Sequence, residues 1–298
     1  MNLVEKAINR IWYHISGFTP MWRAQYKYHY NFGRLINWSN PTEMNEKIRW
    51  CQFYTDTSKW SILADKYRVR EYVADHGYSD LLVKLYGKWD RAEDIDFDAL
   101  PDSFVIKTNH GCGSVFIVKN KMESDLEAIR MQLKVDLSET FGKENAEMHY
   151  ELIKPVIIAE ELLIQDNEIS STLIDYKCYV TGGIIRCVAV MYNRMGHRYD
   201  ETVYDSEWNR KDEWKSRRVK TESKDIPKPL NLDLMKKFCE EMCSEFPFVR
   251  MDFYETGGKL YFGEFTFTPG ACGHGITLNE KAADFISSNI ELPIKQRK

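Results

Sequence analysis

Apolar residues in the first 63 positions follow the spacing of helices. Near the start they recur every three or four positions, which places one apolar stripe along a helix: Val4, Ile8, Ile11, Ile15 and Phe18. A second helix is predicted after Asn40, which can act as its cap, because Pro41 fits the first helical position and Glu43 can close a capping box. The pattern therefore predicts a helical N-terminal region over residues 1–63.

From Ala64 onward, helical and strand-like segments alternate. The segment 65–73 has helical spacing, and the apolar run 81–86 is typical of a strand. Further strands are predicted at 104–108, 115–118, 156–160, 175–180, 184–191, 249–254 and 260–266, and helices near 123–136 and 232–245. This mixture predicts an α+β domain over residues 64–298.

The polar stretch 192–230 interrupts this pattern. Its apolar residues lack regular spacing, and six Lys/Arg lie between Trp208 and Lys220. Because such segments inside compact domains are usually functional loops or linkers, we predict a long, mobile insertion at the surface.

Composition and charge narrow the class of protein. A chain of 298 residues with 43% hydrophobic and 29% charged residues is expected to bury a sizeable core, arranged as two lobes. Its formal net charge of -4 gives no general attraction to nucleic acid, which argues against a dedicated DNA- or RNA-binding protein. Seven cysteines without a CxxC pair indicate neither a disulfide framework nor a zinc site, and they are typical of reduced thiols in the cytoplasm.

The N-terminal segment bears on membrane contact. Charged residues interrupt the first twenty positions, where a signal peptide needs an apolar stretch, and no window resembles a membrane-spanning helix. Residues 1–50 contain seven Lys/Arg against three Asp/Glu and are rich in Trp and Tyr. Two interpretations remain open. The helices either pack against the main domain, which is the commoner case, or contact the inner membrane peripherally.

The segment 248–270 is the most informative one for chemistry. Thr256-Gly257-Gly258 predicts the turn of a hairpin. If positions 252 and 262 pair, alternation predicts that one face carries Arg250, Asp252, Phe262, Glu264 and Thr266. Asp252 and Glu264 are then diagonal neighbours about 7–8 Å apart, near enough to share a hard cation such as Mg²⁺. The alternative is that Asp252 only pairs with Arg250 on a solvated face.

A second candidate is the predicted strand 104–108 with the loop that follows it. Lys107 precedes a glycine-containing loop made of Gly111, Cys112, Gly113 and Ser114. Glycines let backbone N–H groups approach phosphate oxygens, and a lysine on a strand supplies a fixed positive charge. The alternatives are an ordinary turn, and an incidental cysteine rather than a nucleophile at position 112.

A third candidate combines two neighbouring segments. An apolar strand ends in Glu160-Glu161-Leu162-Leu163, and Asp175 and Lys177 share one face of the next strand because side chains alternate. The Asp175 and Lys177 pair is either a surface ion pair or a site for a ribose hydroxyl and a phosphate.

In this order the motifs resemble those of the ATP-grasp superfamily, and most closely the TupA-like ATP-grasp family of bacterial surface-polysaccharide gene clusters. The matching segments extend along almost the whole chain: Asn45-Glu46-Lys47-Ile48, Asp65-Lys66, Phe104 to Gly113, Asp175-Tyr176-Lys177 and Tyr261 to Thr268. The resemblance implies the ATP-grasp fold, in which two α+β lobes, about 64–158 and 159–298, hold ATP between them.

The resemblance also implies roles for the candidate residues. Lys107 and Lys177 would contact ATP phosphates beneath the loop from Gly111 to Ser114, and Asp252 and Glu264 would hold Mg²⁺. The adenine-binding connection and the nucleotide site beside it would include Glu160, Glu161, Leu163 and Asp175. Thr266 stands where most ATP-grasp enzymes have asparagine, and a hydroxyl is a weaker magnesium ligand than an amide carbonyl, so a second metal would be weakly held or completed by water.

The implied reaction joins a carboxylate to an amine through an acyl phosphate made with ATP. The resemblance suggests a uronic acid on a sugar or glycolipid as acceptor, and an amino acid as the amine donor. The catalytic residues would be Lys177, Arg250, Asp252 and Glu264. The candidates for binding the acceptor are Arg250, His274 and the basic segment 210–220.

Three other function classes remain as alternatives. Asp94-Ile95-Asp96 and Asp96-Phe97-Asp98 match the DxD pattern with which glycosyltransferases hold a metal, although they lie in a polar connector. A sugar kinase would use the same ATP site on a hydroxyl group. The last alternative is a nucleotide-binding module without chemistry, and the full set of lysines and carboxylates argues against it.

Overall fold

The computed structural model describes residues 19–165, 168–196, 198–219, 221–273 and 278–296. Its helices are α1 (Pro20–Phe32), α2 (Met44–Tyr54), α3 (Trp60–Leu63), α4 (Val69–Asp75), α5 (Leu126–Ser138), α6 (Met148–Glu151), α7 (Leu232–Cys243) and α8 (Glu280–Ser288). Its strands are β1 (Leu85–Trp89), β2 (Phe104–Thr108), β3 (Val115–Val118), β4 (Ile157–Glu160), β5 (Asp175–Thr181), β6 (Ile184–Met195), β7 (Arg198–Asp205), β8 (Val249–Thr256) and β9 (Lys259–Thr266). The α+β class predicted from the sequence is confirmed.

The strands form two antiparallel sheets that follow one another along the chain. The first has the order β1-β4-β2-β3, and the second has the order β7-β6-β5-β8-β9. The connection 161–174 joins the last strand of the first sheet to β5, at the centre of the second. Both sheets therefore meet the same connecting segment, and β5 lies between the β6–β7 and β8–β9 hairpins.

One face of the second sheet is apolar, and the opposite face carries polar side chains beside a second buried apolar cluster that includes Tyr179, Ala189 and Val203. Helix α7 packs on the apolar face through Phe238, whose ring contacts Phe253 and Phe262 at centroid distances of 5.4 and 5.7 Å. Phe265 belongs to the same buried cluster. Because strand side chains alternate, the residues between these positions project from the opposite face, where the candidate site residues lie.

Helices α1, α2 and α3 make up most of the described part of the N-terminal region, with the irregular segment 33–43 between α1 and α2. The stripe from Val4 to Phe18 lies outside the described residues. The predicted start of the second helix at Asn40 is wrong by about one turn. Helix α2 begins at Met44, and its capping box joins Glu43 to Glu46. Glu46 also accepts a hydrogen bond from the Thr42 backbone N–H at 3.1 Å, so the segment before Met44 is held in an extended turn.

Two other predictions from the sequence are corrected. The apolar run 81–86 begins with the buried Leu81, which ends a 3₁₀ turn (Ser79–Leu81), and the strand starts at Leu85 because only there does it pair with β4. The stretch 192–230 is not wholly an irregular insertion, since it contains the end of β6 and the whole of β7. Stacked rings of Tyr204 and Trp208, with centroids 4.3 Å apart, help to fix this hairpin.

Glu201 on β7 is a buried acid that the sequence analysis did not single out. Its side chain is 0% exposed, and Oε1 accepts a hydrogen bond from the Ser216 backbone N–H at 2.8 Å. Burial is the main cause that raises the pKa of Glu201 to about 7, from an ordinary value of 4.5. The folded protein therefore holds this proton at pH values where the unfolded chain has lost it.

This proton predicts a specific pH dependence of stability. Because the pKa is higher in the folded state, the free energy of unfolding falls as pH rises through the window from 4.5 to about 7. We expect wild type to lose about 2–3 kcal/mol more than Glu201→Gln between about pH 5 and pH 8, measured by chemical denaturation. Parallel pH profiles for the two proteins would contradict the raised pKa.

Candidate functional site

The β8–β9 hairpin places two carboxylates opposite each other. Its turn contains Gly257 and Gly258, both with positive φ (60° and 70°), as a tight hairpin turn requires. The register pairs Asp252 directly with Glu264 and then shifts, so that Phe253 pairs with Phe262 and Gly263 is the extra residue. A Cβ atom at Gly263 would lie 2.8 Å from the Asp252 carbonyl oxygen, so the bulge requires glycine.

This bulge corrects the predicted hairpin register. Positions 252 and 262 do not pair, and Asp252 and Glu264 are direct rather than diagonal neighbours. Phe262 lies in the apolar cluster under α7 and not on the carboxylate face. Arg250 and Thr266 form the next cross-strand pair, and both contact Glu264, so the other four predicted residues are together.

Arg250 connects the four polar side chains of the hairpin. Its Nε donates to Asp252 Oδ1 and its Nη2 to Asp252 Oδ2, both at 2.6 Å. The same Nη2 lies 3.2 Å from Glu264 Oε1 and 3.1 Å from Thr266 Oγ1. The ion pair between Arg250 and Asp252 is thus present, but Asp252 is only 2% exposed, so the face around it is not a solvated one.

Strand β5 adds Lys177 and Asp175 to the same network. Lys177 pairs with Asp252 across the sheet, and its Nζ lies 2.5 Å from Asp252 Oδ2 and 2.6 Å from Asp175 Oδ2. Both Lys177 and Asp175 are 7% exposed, which excludes a surface ion pair. Asp175 Oδ1 is buried without a hydrogen-bond partner among the described residues, so one acceptor on this face is open.

Burial and charge act in opposite directions on the two aspartates. Burial tends to raise the pKa of Asp252, but the Arg250 guanidinium and the Lys177 ammonium outweigh it and lower that pKa. For Asp175, burial dominates and raises the pKa, with Lys177 opposing it and the Asp252 carboxylate adding to it. Asp252 is therefore the firmly ionised centre of the network.

Lys107 belongs to a separate ion cluster on the first sheet. Its Nζ lies 2.5 Å from Glu160 Oε2, and Arg70 Nη1 donates to Glu160 Oε1 at 2.9 Å. Glu160 is the last residue of β4, so its carboxylate neutralises two cations at the point where the connection to the second sheet begins. Further along this connection, Leu163 is half-buried and the Glu161 backbone N–H donates to the Lys84 carbonyl at 2.9 Å.

Lys66 links the glycine loop to the hairpin, and the sequence analysis assigned it no role. Its Nζ donates to the Gly111 carbonyl oxygen at 2.6 Å and lies 3.8 Å from Glu264 Oε2. Cys112 and Gly113 in this loop are exposed, whereas Gly111 and Ser114 are half-buried. The only indication of this lysine in the sequence was the Asp65-Lys66 pair, which matched a family motif but carried no assigned role.

The remaining candidates lie away from this network or outside the described residues. Asp96 of the DxD patterns uses Oδ1 to accept from the Asp98 and Ala99 backbone N–H groups, which is a local turn contact. Ile95 and Phe97 beside it are buried in the core of the first sheet. His274 and Lys220 lie outside the described residues.

The donor set on the hairpin suits a hard cation. Asp252, Glu264 and Thr266 offer oxygen ligands on one face, and the Glu264 side chain is 39% exposed. In the described ranges, no three His, Cys, Asp or Glu side chains gather as they do around a metal held by protein alone. This arrangement fits Mg²⁺, which commonly takes one or two carboxylates and completes its shell with phosphate oxygens and water.

Comparisons with known proteins give the chain a family. A family model described as TupA-like ATPgrasp matches residues 46–285. No curated protein matches the chain. In the described residues, no helix is long and apolar enough to cross a bilayer.

Several solved structures are distantly similar. The D-alanine–D-alanine ligase of Bacillus anthracis in complex with ATP is 16% identical, with a TM-score of 0.41 over 76% of this chain and 66% of that chain. The Helicobacter pylori enzyme of the same name is 14% identical, with a TM-score of 0.43 over 85% of this chain and 68% of that chain. The ATP-grasp ligase PsnB, complexed with minimal precursor, Mg and ADP, is 14% identical, with a TM-score of 0.42 over 83% and 67%.

The chain thus spans slightly less than two thirds of the first of these ligases. The family assignment depends on the family model, which matches well over half of the chain. It agrees with the resemblance inferred from the motifs. The chain therefore belongs to the TupA-like ATP-grasp family, and its two antiparallel sheets form an α+β fold of the ATP-grasp kind.

Proposed function

We propose that this protein is an ATP-dependent carboxylate–amine ligase. The observation that carries the proposal is the buried network of Lys177, Arg250, Asp252 and Glu264 on one face of the second sheet. Two cations and two carboxylates in contact are the groups needed to bind a magnesium-complexed triphosphate and to stabilise charge during phosphoryl transfer. Family membership supports ATP as the substrate that supplies the phosphoryl group.

The proposed reaction has two steps. A carboxylate oxygen of the acceptor attacks the outer phosphorus of ATP, so that ADP leaves and an acyl phosphate forms. The amine nitrogen then attacks the acyl carbon, phosphate leaves with the electron pair of the C–O bond, and the nitrogen loses a proton to give the amide. Lys177 and Arg250 stabilise the negative charge of the transferred phosphoryl group in the first step.

Asp252 and Glu264, with Thr266, would hold Mg²⁺, which when bound neutralises phosphate charge. Three cations (Lys66, Lys177 and Arg250) contact three carboxylates (Asp175, Asp252 and Glu264), so the formal charge of the cluster is zero. Bound Mg·ATP would compete for these partners, because the cations could contact phosphate oxygens and the carboxylates could hold the metal.

In this proposal the two ends of β8 define the direction in which the nucleotide would lie across the second sheet. The connection 161–174 enters β5 at Asp175, which pairs with Tyr254, whereas Thr266 pairs with Arg250 at the other end of β8. These two ends are four residues apart along the strand, or about 14 Å. Adenine at the connection and the acceptor beyond Arg250 would place the phosphates over Lys177 and Asp252.

The wider assignments of the proposal come from the family resemblance. The two sheets are the cores of two lobes, about 64–158 and 159–298, with Lys107 and the loop from Gly111 to Ser114 on the opposite side of the nucleotide. The acceptor is a uronic acid on a sugar or glycolipid, the donor is an amino acid, and the setting is surface-polysaccharide biosynthesis in the cytoplasm. Peripheral contact with the inner membrane is the less favoured of the two interpretations for residues 1–50, of which residues 1–18 lie outside the described residues.

The proposed reaction is tested by asking what ATP turnover requires. The protein is incubated with Mg·ATP and glucuronic or galacturonic acid, with and without each of the common amino acids. ADP release that depends on both the carboxylate and an amine, with an amide detected by mass spectrometry, is the expected result. ADP release with a sugar hydroxyl alone would indicate a kinase, and no ATP turnover together with sugar transfer from a nucleotide sugar would indicate a glycosyltransferase.

The glycine loop is expected to become protected when nucleotide binds. Cys112 and Gly113 are exposed, and a Cβ atom added at Gly113 would meet no other described atom within 4 Å, so the tip of the loop has little packing of its own. Phosphate would supply fixed contacts to its backbone. Hydrogen exchange over residues 108–116 should slow when a non-hydrolysable ATP analogue saturates the protein, while α5 serves as the control segment. Equal exchange rates with and without the analogue would contradict this role.

A further inference from the structure

Arg49 in helix α2 is a buried cation that takes no part in the network described above. It is 1% exposed, yet its guanidinium bonds to backbone carbonyls instead of pairing with a carboxylate in the described structure. Nη1 donates to Gln52 Oε1 at 2.7 Å and to the Ala146 carbonyl at 3.1 Å. Nη2 donates to the carbonyls of Asn145 at 2.7 Å and Ala271 at 2.8 Å.

These carbonyls belong to two segments that are far apart in sequence. The 143–147 turn follows α5 and precedes β4, and the 268–273 loop follows β9 directly after Thr266. Both contain non-glycine residues with positive φ, namely Ala146 at 56°, Ala271 at 54° and Cys272 at 51°. L-residues adopt this conformation at a cost, so it persists where surrounding contacts hold it. The planar fork of one guanidinium supplies such contacts to both segments at once.

One further contact joins the same segments, and a second holds Phe267, the residue before the loop. Thr268 Oγ1 donates to Glu147 Oε1 at 2.6 Å, and both side chains are buried. The ring of Trp60 stacks on Phe267, with centroids 4.6 Å apart and planes 7° apart. The N-terminal helices therefore fix the point at which the chain leaves β9, and they fix it relative to the segment that leads into the first sheet.

The position of the 268–273 loop connects this junction to the site. It leaves β9 at the end where Arg250 and Thr266 pair, which is the end away from the connection 161–174. In the proposed orientation of the nucleotide, this end faces the acceptor carboxylate. We infer that Arg49 is a positioning residue that holds the 268–273 loop as the acceptor end of the site, an inference that rests on the proposed function.

Arg49→Lys is the variant that tests this role. Lysine keeps the positive charge but presents a single ammonium group in place of the fork, so it cannot reproduce all the carbonyl contacts. Lys47→Met is the matched control, because Lys47 lies on the same helix and donates to the carbonyls of Ser287 and Ile290, away from the loop. Thr268→Val, which removes the bond to Glu147, is a milder second variant if Arg49→Lys does not fold.

The first readout is hydrogen exchange and does not require any substrate. We expect exchange in both segments, 143–147 and 268–273, to rise at least about tenfold in Arg49→Lys and to stay at the wild-type rate in Lys47→Met. Unchanged exchange in either segment, or an equal rise in the control, would overturn the inference. This measurement tests the structural role of Arg49 even if no ligase reaction is detected.

The second readout separates positioning from a general loss of structure. With glucuronic acid as the acceptor probe, KM for the acid should rise about tenfold or more, while the Kd of an ATP analogue stays within about twofold. A matching loss of nucleotide affinity would show that Arg49 supports the whole fold, and would overturn its assignment to the acceptor end. Wild type that turns over no carboxylate at all would instead refute the proposed function.

Discussion

Lys177→Met is expected to lower kcat for ATP-dependent ligation by about 10²–10³, which corresponds to about 2.7–4 kcal/mol of lost transition-state stabilisation. Lys177 is buried between Asp175 and Asp252, and it is expected to release them for the outer phosphate when Mg·ATP binds. Charge redistributes on that phosphate during transfer, so its contact strengthens in the transition state. KM for ATP should change less than kcat, and steady-state kinetics with saturating acceptor separates the two effects.

Lys107→Met provides the contrast. Lys107 sits on the first sheet with Glu160, and in the proposed site it contacts the inner phosphates in ground state and transition state alike. Its loss should weaken ATP binding by about 1.5–3 kcal/mol, or about 10–150-fold in Kd, with kcat nearly unchanged at saturation. Near-normal kcat in a folded Lys177→Met protein would rule out the proposed role of that lysine.

Glu264→Gln and Asp252→Asn are each expected to lower Mg-dependent ATP turnover by at least about 10³-fold, because a lost metal ligand removes several kcal/mol of charge stabilisation. The two variants differ in what they do to the fold. Asp252 is 2% exposed and contacts two cations, so its neutralisation leaves buried positive charge and costs about 3–5 kcal/mol of stability. The Glu264 side chain is 39% exposed, which makes Glu264→Gln the cleaner test.

Glu255→Gln is the matched control for these variants. Glu255 lies on β8, but its carboxylate accepts hydrogen bonds from the backbone of Leu230 and Asn231, away from the network. It should retain turnover close to that of wild type. If Glu264→Gln and Asp252→Asn both turn over ATP normally, with native circular dichroism, the proposed magnesium site is absent.

Much of the fold could be predicted because the strands of the first sheet and the hairpin carry strong local signals. The predicted strands 104–108 and 115–118 coincide with β2 and β3, and Gly257-Gly258 forms the predicted turn. Asp175, Lys177, Asp252 and Glu264 were named from alternation and motif order, and the structure brings them into one network.

Other features were not accessible to local patterns. The predicted start of the strand at residue 81 was wrong because pairing with β4 decides where β1 begins. β4 lies far along the chain, after α5 and α6. The bulge at Gly263 is visible in the sequence as a break in the alternation of apolar and polar residues. The buried residues Leu260 and Phe262 are followed by Phe265 and Phe267, so the apolar phase shifts by one position around a glycine.

Lys66 and Arg49 could not have been found by spacing, since their partners are distant in sequence. Lys66 contacts Gly111 and Glu264, and Arg49 contacts Asn145, Ala146 and Ala271. A lone lysine or arginine is usually a solvated surface residue, and only tertiary packing shows that these two are not.

The neutral charge balance of the network also bears on how the metal and the nucleotide would affect each other's binding. A free nucleotide would draw Lys177 and Arg250 away from Asp252 and leave that buried carboxylate without a counter-charge, and a free metal ion would do the reverse to the cations. In the proposed site, metal and nucleotide affinities would therefore be linked, and by reciprocity each would tighten the binding of the other by the same factor. Calorimetric titrations with ATP and with Mg²⁺, each in the presence and absence of the other, should give one coupling constant greater than one. A value of one would mean that the carboxylates and the cations act independently.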